Sequence, residues 1–247
     1  MAKILDVRVD NLTFNQVMAK INLFLCGKKL RQIVTLNPEF VLAAQKDKEF
    51  KIVLNQADLS IPDGFGLKIA AAITGQKIGE RITGVDLTLE LAKLASERGD
   101  SIFFLGGAQG VAEKAVKRIK MIYPNLKVAS TYAGNPDDKE TIGILKKAKP
   151  DILLVAFGAP KQDKFIAGLK HRYSGLPKVA MGVGGTFDYI SGNIPRAPHW
   201  MRKIGLEWLY RLFRQPSRFG RIFRAVAVFT FLVMIRRLLT LSRPDRH

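Results

Sequence analysis

The residues best suited to acid–base chemistry stand in Pro62-Asp63-Gly64, directly after a short apolar run. Asp63 supplies a carboxylate of the kind that acts as a general base, and the glycine after it lets the backbone approach a ligand closely. The same three residues are a common turn signal, so a turn or helix-capping role for Asp63 is the alternative. We predict a proton-accepting carboxylate at the end of a strand.

A second polar segment, Thr35-Leu36-Asn37-Pro38, also follows an apolar run. Pro38 suits the first turn of a helix, and Asn37 suits the capping position in front of it. In the functional interpretation, Thr35 and Asn37 offer hydrogen-bonding groups to sugar hydroxyls. The residues alone leave both interpretations open.

Three glycine-rich segments follow other apolar runs, and they contain Gly106-Gly107, Gly158 and Gly184. A glycine turn at a helix start presents backbone N–H groups to an anion such as a phosphate. The first segment lacks the full dinucleotide-binding fingerprint and the lysine of a P-loop, so a structural tight turn is equally compatible. With Gln162, these turns form a predicted surface on which a diphosphate rests.

Several common catalytic patterns are missing from the sequence. It has no HExxH zinc motif, no GxSxG nucleophile elbow and no Asp-x-Asp pair that would hold a metal on a nucleotide diphosphate. We therefore expect no metal and no cofactor, with arginines, lysines and helix N-termini neutralising a diphosphate. The single cysteine, Cys26, excludes an internal disulfide, and its apolar surroundings predict a buried thiol.

The elements that must position these residues are apolar runs that alternate with longer amphipathic stretches. This alternation predicts an α/β, Rossmann-like fold whose mainly parallel sheet has helices on both faces. The polar segments then meet at the carboxyl edge of the sheet, where such folds bind ligands. We predict strands at 4–9, 32–36, 59–61, 101–105, 127–132, 152–157 and 179–183. We predict helices at 13–26, 38–55, 66–74, 86–98, 112–123, 139–147 and 161–171.

The composition changes at residues 194–198, which separates a predicted core, 1–195, from a helical appendage, 196–247. The appendage contains 12 of the 40 Lys and Arg residues but only two of the 21 acids. Its apolar run, 225–235, would span about 16 Å as a helix, against about 30 Å for the hydrocarbon core of a bilayer. A basic, aromatic-rich helix of this length is expected to lie in the membrane interface, with its cations on anionic headgroups.

A formal net charge of +19 and a pI near 10.2 suggest nucleic acid, anionic membrane or phosphorylated small molecules as partners. Apolar residues interleave the strongest basic block, so we favour a peripheral membrane protein over one that binds nucleic acid. A nucleic-acid-binding module and a membrane-tethering scaffold are the alternatives from other classes. The N-terminus has no signal region, so we expect the cytoplasmic face of the membrane. A homo-oligomer is one option, since the sequence does not fix the copy number.

Taken in order, these segments resemble the WecG/TagA/CpsF glycosyltransferase family over about residues 4–225. The most specific part begins at Arg196-Ala197-Pro198 and includes Gly205-Leu-Glu-Trp-Leu-Tyr-Arg-Leu. The other matching segments are Thr35-Leu-Asn-Pro38, Pro62-Asp-Gly64, Arg81-Ile-Thr-Gly-Val-Asp86, Phe104-Leu-Gly-Gly107, Phe157-Gly-Ala-Pro-Lys-Gln-Asp163 and Gly182-Val-Gly-Gly-Thr-Phe-Asp188.

The resemblance implies an inverting, metal-independent transfer of N-acetylmannosamine from UDP-N-acetylmannosamine to lipid-linked N-acetylglucosamine. The acceptor is the 4-hydroxyl of that sugar on undecaprenyl diphosphate, in bacterial wall teichoic acid synthesis. By matching positions, Asp63 is the catalytic base. The residues that surround the sugar are Thr35, Asn37, Arg81 and Gln162. The arginines over the lipid diphosphate are Arg214, Arg221 and Arg224.

Another donor within the same family is the nearest alternative to this assignment. UDP-N-acetylmannosaminuronic acid or UDP-glucose would react at a site built from the same loops. A uronic acid donor would call for an additional cation near the sugar, and the sequence does not show whether one is there.

Overall fold

The computed structural model describes residues 2–172, 177–203, 205–214, 220 and 223–241. Its strands are β1 (Ala2–Ile4), β2 (Val7–Val9), β3 (Arg31–Leu36), β4 (Leu59–Pro62), β5 (Ser101–Gly106), β6 (Lys127–Tyr132), β7 (Ile152–Ala156) and β8 (Val179–Gly182). β1 and β2 form an antiparallel hairpin. The other six form one parallel sheet in the order β4-β3-β8-β7-β5-β6. The predicted parallel α/β sheet is confirmed.

The helices connect these strands and continue beyond them. In the core they are α1 (Phe14–Cys26), α2 (Pro38–Lys46), α3 (Lys48–Gln56), α4 (Phe65–Thr74), α5 (Gly84–Arg98), α6 (Val111–Ile122), α7 (Lys139–Ala148), α8 (Lys161–Arg172) and α9 (Thr186–Ser191). Beyond residue 195 they are α10 (His199–Lys203), α11 (Glu207–Arg214) and α12 (Phe229–Leu241), and a π-helical turn, Arg224–Val228, precedes α12.

Both faces of the sheet are buried, because side chains alternate between the faces along each strand. On β5, Ile102 and Phe104 pack in the cluster that includes residues of α1, α5 and α6. Phe103 and Leu105 pack in the opposite cluster, which includes residues of α7 and α8. All four side chains are fully buried, which explains why the strands are continuously apolar in sequence.

Two predicted elements are divided in the structure. The single strand predicted at 4–9 is wrong, because Leu5 and Asp6 adopt left-handed backbone, with φ of 48° and 63°, and turn the chain into the β1–β2 hairpin. The helix predicted at 38–55 consists of α2 and α3. They separate at Asp47, whose Oδ1 accepts a hydrogen bond from Phe50 N at 2.9 Å and caps α3. α9 was not predicted.

The predicted burial of Cys26 is also wrong. Its side chain is exposed at the last position of α1, next to the fully packed Leu25. The helical period turns Cys26 outward, where the Arg98 guanidinium nitrogens lie 3.9 Å from its sulfur. An apolar run in a helix therefore did not determine which of its members faced the core.

The amino edge of the sheet carries ion pairs at the strand starts. Asp58 directly precedes β4 and accepts hydrogen bonds from Arg31 at 2.8 Å and Lys170 at 2.7 Å. Asp151 directly precedes β7 and pairs with Lys178 at 2.8 Å. Burial by itself would raise the pKa of Asp58, but the hydrogen bonds from Lys170 and Arg31 outweigh burial and lower it. Arg31, Lys170 and Lys178 at this edge are therefore paired with partly buried carboxylates.

The C-terminal helix α12 packs on the core beside α4. Phe229 and Val233, one turn apart, are 0% and 1% exposed and lie in one cluster with Leu67 and Ala70 of α4. Phe231, on the other side of α12, is 62% exposed. The predicted apolar run therefore has one packed face and one exposed face. No helix within the described ranges has both the length and the apolar character needed to cross a bilayer.

Two predictions about the appendage are not decided by these contacts. The division into domains at 1–195 and 196–247 stays a prediction. Residues 215–219 and 221–222, which belong to the predicted C-terminal helix, lie outside the described residues.

The packing of α12 is tested by a matched pair of substitutions. We expect Phe229→Ala to lower the free energy of unfolding by about 3–5 kcal/mol, because it leaves a cavity between α12 and α4. Phe231→Ala, two residues away and exposed, should change it by less than about 0.5 kcal/mol. Urea denaturation followed by circular dichroism measures both values. Equal effects in the two variants would show that α12 does not pack as described.

Candidate active site

The carboxyl edge of the main sheet carries the loops singled out from the sequence. Along this edge the loops after β4, β3, β8, β7 and β5 lie in that order. Asp63 and Thr35, predicted to act on the sugar, therefore lie toward one end. Gly158 and Gly106, predicted to face a diphosphate, lie toward the other end. The linear order of the predicted roles is compatible with one extended donor lying across the edge.

Asp63 is held by two backbone contacts at the end of β4. Its N–H donates to the carbonyl of Leu36, the last residue of β3, at 2.7 Å. Its carboxylate Oδ2 accepts a hydrogen bond from the N–H of Gly84, the first residue of α5, at 3.1 Å. The carboxylate thus faces the positive end of the α5 helix dipole.

Gly84 is the point at which three polar side chains meet. A β-carbon placed on Gly84 would lie 3.4 Å from Thr35 Oγ1, 3.5 Å from Thr186 Oγ1 and 3.8 Å from Asp63 Oδ2. Thr35 and Thr186 are both buried. The structure brings Thr35 and Asp63 together and adds Thr186, which sequence reasoning missed. Its sequence signals were the glycine-rich segment directly before it and its place in the matched family segment 182–188.

Asn37 occupies the capping position in front of α2. Its Oδ1 accepts a hydrogen bond from Phe40 N at 3.1 Å, and Pro38 is the first helical residue. Pro38 Cδ would lie only 2.6 Å from a β-carbon on Gly64, so the β3 and β4 loops touch because Gly64 has no side chain. Asn37 therefore sits beside the Asp63 loop with its Oδ1 already bonded to the backbone.

Gln162 connects two loops of the carboxyl edge. Its Oε1 accepts hydrogen bonds from Gly158 N at 3.1 Å and from Gly184 N at 2.9 Å. The residue is 1% exposed, and a β-carbon on Gly182 would lie 2.5 Å from its Nε2. Gln162 therefore positions the β7 and β8 loops, a contact that the sequence did not suggest.

The four glycines predicted to face a diphosphate share a left-handed backbone. Their φ angles are 88° at Gly106, 81° at Gly107, 75° at Gly158 and 51° at Gly184. At Gly106 a β-carbon would also lie 2.8 Å from the ring of Phe157. Turn geometry by itself therefore requires glycine here. Their role toward an anion stays a prediction.

An arginine cluster surrounds the start of α5. Arg196 donates from Nη1 and Nη2 to the two carboxylate oxygens of Asp86, at 2.7 and 2.8 Å, and from Nη2 to Thr83 Oγ1 at 2.9 Å. Arg202 Nη1 lies 3.8 Å from Asp86 Oδ1. Arg81 donates from Nη2 to the backbone carbonyl of Arg202 at 2.7 Å. Burial by itself would raise the pKa of Asp86, but hydrogen bonds from Arg196 and Thr83 lower it.

Asp86, Arg196 and Arg202 had no predicted role. Asp86 and Arg196 belong to matched family segments, so the sequence contained a signal for them but no indication that they touch. Because 110 residues separate Asp86 from Arg196, only the folded chain reveals the pair.

Asp163, in the first turn of α8, has a fully buried carboxyl group. It is 0% exposed, and neither carboxylate oxygen has a partner within the described residues. Burial raises the pKa of Asp163 to about 7. Its backbone carbonyl accepts a hydrogen bond from Gln32 of β3 at 3.0 Å. Asp163 directly follows Gln162, so its carboxyl group lies next in the chain to the residue that joins the loops after β7 and β8.

The structure describes two of the three C-terminal arginines predicted to cover the lipid diphosphate. Arg214 is exposed at the end of α11, with its guanidinium 5.8 Å from the ring centre of Tyr210. Arg224 is exposed and donates from Nε to the carbonyl of Gly220 at 3.1 Å. Arg221 lies outside the described residues, so the grouping of the three stays a prediction.

Comparison with known proteins gives matches along most of the chain. A family model described as "Glycosyl transferase WecG/TagA/CpsF family" matches residues 2–243. A protein of Bacillus subtilis (strain 168), named N-acetylglucosaminyldiphosphoundecaprenol N-acetyl-beta-D-mannosaminyltransferase, is 38% identical over 192 residues, which cover 77% of this chain and 74% of that protein. A protein of the same name from Staphylococcus aureus (strain MRSA252) is 32% identical over 233 residues, covering 93% and 91%.

The buried Asp163 predicts a pH-dependent gain in stability for Asp163→Asn. The folded pKa, about 7, lies above the ordinary value of 3.8, so stability from the neutral carboxyl is fully present below about pH 4 and is lost as the pH rises through 7. The neutral amide avoids this loss. We expect Asp163→Asn to stabilise the protein by a few kcal/mol more at pH 8 than at pH 4.

Thermal denaturation at the two pH values measures this difference. Asp137→Asn, at an exposed position, is the control and should give the same small change at both. A stability difference for Asp163→Asn that does not depend on pH would contradict the prediction.

Proposed function

The chain belongs to the WecG/TagA/CpsF glycosyltransferase family, and we propose that it transfers N-acetylmannosamine from UDP-N-acetylmannosamine to N-acetylglucosamine on undecaprenyl diphosphate. Relatives that are 38% and 32% identical carry the name of that transferase. The observation that carries the proposal is the position of Asp63 beside Thr35 and the Gly84 N–H in a chain of this family.

In the proposed mechanism, Asp63 acts as the general base. Displacement at the anomeric carbon with inversion requires a base within hydrogen-bond reach of the attacking hydroxyl. Asp63 takes the proton of the acceptor 4-hydroxyl, whose oxygen forms a bond to C1 of the donor sugar. The bond between C1 and the diphosphate oxygen breaks, and its electron pair leaves with UDP. The Gly84 N–H keeps the carboxylate oriented during this step.

We place the donor sugar toward the β4 end of the edge and its diphosphate toward the β5 end. Thr35 and Asn37 flank Asp63 there, and the Nδ2 of Asn37 can donate to a sugar hydroxyl while Oδ1 caps α2. Gln162 acts on the donor through the loops it orders. The turns predicted to offer backbone N–H groups to the diphosphate contain Gly106, Gly107, Gly158 and Gly184.

Positive charge for the two diphosphates comes from arginines in this proposal. Arg81 stands next to the site, and Arg214, Arg221 and Arg224 would cover the lipid diphosphate. Within the ranges that the structure describes, no group of three or more His, Cys, Asp or Glu side chains stands at metal-binding spacing. Charged hydrogen bonds from guanidinium groups stabilise a leaving diphosphate effectively. We propose that these guanidinium groups take the place of a metal at the diphosphate, and that transfer requires neither a metal nor another cofactor.

The exposed face of α12 is proposed to lie on the cytoplasmic face of the membrane. Phe231 and Leu238 are 62% and 66% exposed, and Met234 between them is also exposed, at helical spacing on one face. Arg237 supplies an exposed cation next to Leu238 for anionic headgroups. An enzyme held in this way meets its polyprenyl-anchored acceptor in two dimensions.

A transfer assay tests the reaction directly. We expect the protein to transfer labelled N-acetylmannosamine from UDP to synthetic undecaprenyl-diphosphate N-acetylglucosamine, with equal rates with and without EDTA. Asp63→Asn should lower kcat by about 10²–10⁴, since it removes the base but keeps the side-chain shape. Glu97→Gln, an exposed neutralisation on α5, is the control. Normal turnover by Asp63→Asn would contradict the role of Asp63.

The transfer assay, together with binding measurements, separates the competing hypotheses. Faster transfer from UDP-N-acetylmannosaminuronic acid or UDP-glucose would assign another donor within the family. Nucleic-acid binding that weakens steeply with salt, without sugar transfer, would favour a nucleic-acid-binding module. A scaffold would bind vesicles and show no turnover in either the original protein or Asp63→Asn.

Membrane docking is tested by co-sedimentation with vesicles. We expect binding to vesicles of equal parts phosphatidylglycerol and phosphatidylethanolamine, and weaker binding to neutral phosphatidylcholine. The double variant Phe231→Ser/Leu238→Ser should weaken binding at least about tenfold, because each inserted side chain contributes on the order of 1.5–3 kcal/mol. Leu23→Ser/Met121→Ser, which alters exposed residues of α1 and α6, is the control. Equal binding by both double variants would exclude α12 as the docking surface.

A further inference from the structure

The first residues of the appendage contact the N-terminus of α5. The Gly84 N–H of this helix donates the hydrogen bond to the proposed base, Asp63. Arg196 makes a two-pronged contact with the Asp86 carboxylate and also donates to Thr83 Oγ1. Thr83 is the N-cap of α5, and its Oγ1 accepts a hydrogen bond from Asp86 N at 3.2 Å. The side chain of Arg196 is 19% exposed and that of Asp86 is 45% exposed, so the guanidinium is mostly covered while the carboxylate is partly open to solvent. A forked guanidinium–carboxylate contact fixes orientation as well as distance.

Thr83 directly precedes Gly84, whose N–H is bonded to Asp63. The Arg196 contact therefore restrains the cap residue one peptide bond away from the donor that orients the base. Any rotation of the Thr83–Gly84 peptide would move this N–H relative to the Asp63 carboxylate. The restraint comes from outside the sheet, 110 residues further along the chain than Asp86.

A second contact runs from the same part of the appendage to Arg81. The Arg81 guanidinium donates to the backbone carbonyl of Arg202, in α10, at 2.7 Å. Arg202 also approaches Asp86, at 3.8 Å. Residues 196–202 thus contact Arg81 directly, and they reach Asp63 only through Thr83 and Gly84.

We propose that residues 196–202 are a positioning element of the active site, with Arg196 orienting Asp63 through Asp86, Thr83 and Gly84. This inference rests on the proposed function. It assigns the start of the appendage a role in turnover that does not require a membrane, in contrast to the docking role of α12. Loss of the pair should therefore lower kcat even when the acceptor is water-soluble.

The experiment compares two aspartates that each pair with an arginine beyond residue 195. Asp86→Asn weakens the contact with Arg196, and Arg196→Lys keeps the charge but removes the forked geometry. Asp6→Asn is the matched control, because Asp6 pairs with Arg236 at 3.1 Å in the β1–β2 turn. Turnover is measured on the full chain with UDP-N-acetylmannosamine and a short-chain, water-soluble analogue of the lipid acceptor, without vesicles.

We expect Asp86→Asn and Arg196→Lys each to lower kcat about 10- to 100-fold, as small misplacements of catalytic groups do. The KM for the donor should stay within about threefold, and the melting temperature should match that of Asp6→Asn. A purely structural pair would lower the melting temperature and leave kcat near that of the control. If both variants turn over within about threefold of Asp6→Asn, the inference is wrong while the proposed function stands.

Hydrogen exchange at the Gly84 amide gives a second test that needs no turnover. We expect Asp86→Asn to speed exchange at Gly84 at least about tenfold relative to Asp6→Asn, with the amide of Leu91 in the middle of α5 unchanged. Unchanged exchange at Gly84 would overturn the inference. An inactive original protein with faster exchange in Asp86→Asn would instead count against the proposed donor and acceptor only.

Discussion

The hydrogen bond from the Gly84 N–H to the Asp63 carboxylate joins the loop after β4 to the start of α5, and the proposed site requires both. Asp63 ends a strand, and Gly84 begins a helix that packs on the opposite side of the sheet from α2 and α3. A carboxylate at a helix N-terminus satisfies an N–H group that the helix itself leaves unpaired. The bond therefore positions a proposed base and caps α5 at the same time. A β-carbon at position 84 would be in van der Waals contact with the oxygens of Thr35, Thr186 and Asp63, which shows how closely these side chains surround the start of α5.

Charged side chains are paired differently at the two edges of the sheet. At the amino edge, Asp58 and Asp151 each stand before a strand and pair with lysines or arginines from neighbouring elements. At the start of α5, Arg196 and Arg202 approach the Asp86 carboxylate, and Arg81 donates to the backbone carbonyl of Arg202. The cations named at the amino edge are thus paired with carboxylates, whereas Arg81 near the start of α5 donates to a backbone carbonyl.

The C-terminal residues carry two separable kinds of contact. Residues 196–202 reach the start of α5 through side chains and a backbone carbonyl, next to Asp63 and Arg81. α12 packs on α4 through Phe229 and Val233 and leaves Phe231 and Leu238 exposed. α4 begins two residues after Asp63, so the helix on which α12 packs starts at the site itself. The surface proposed for docking and the residues proposed to position the site are thus neighbouring but different.

The sequence by itself determined the fold class, the bounds of most core elements to within one or two residues, and which loops follow the strands at the carboxyl edge. Apolar runs indicate the strands, because a parallel sheet is buried on both faces. Amphipathic stretches indicate the helices that cover it. Local patterns did not decide the left-handed turn at Leu5 and Asp6, the outward orientation of Cys26 or the cap at Asp47. Only the tertiary structure decided that Gln162 bridges two loops, that Thr186 joins Thr35 at Gly84, and that Arg196 reaches Asp86. These contacts join residues far apart in the chain, and a one-dimensional pattern does not encode which distant side chains converge when the strands assemble.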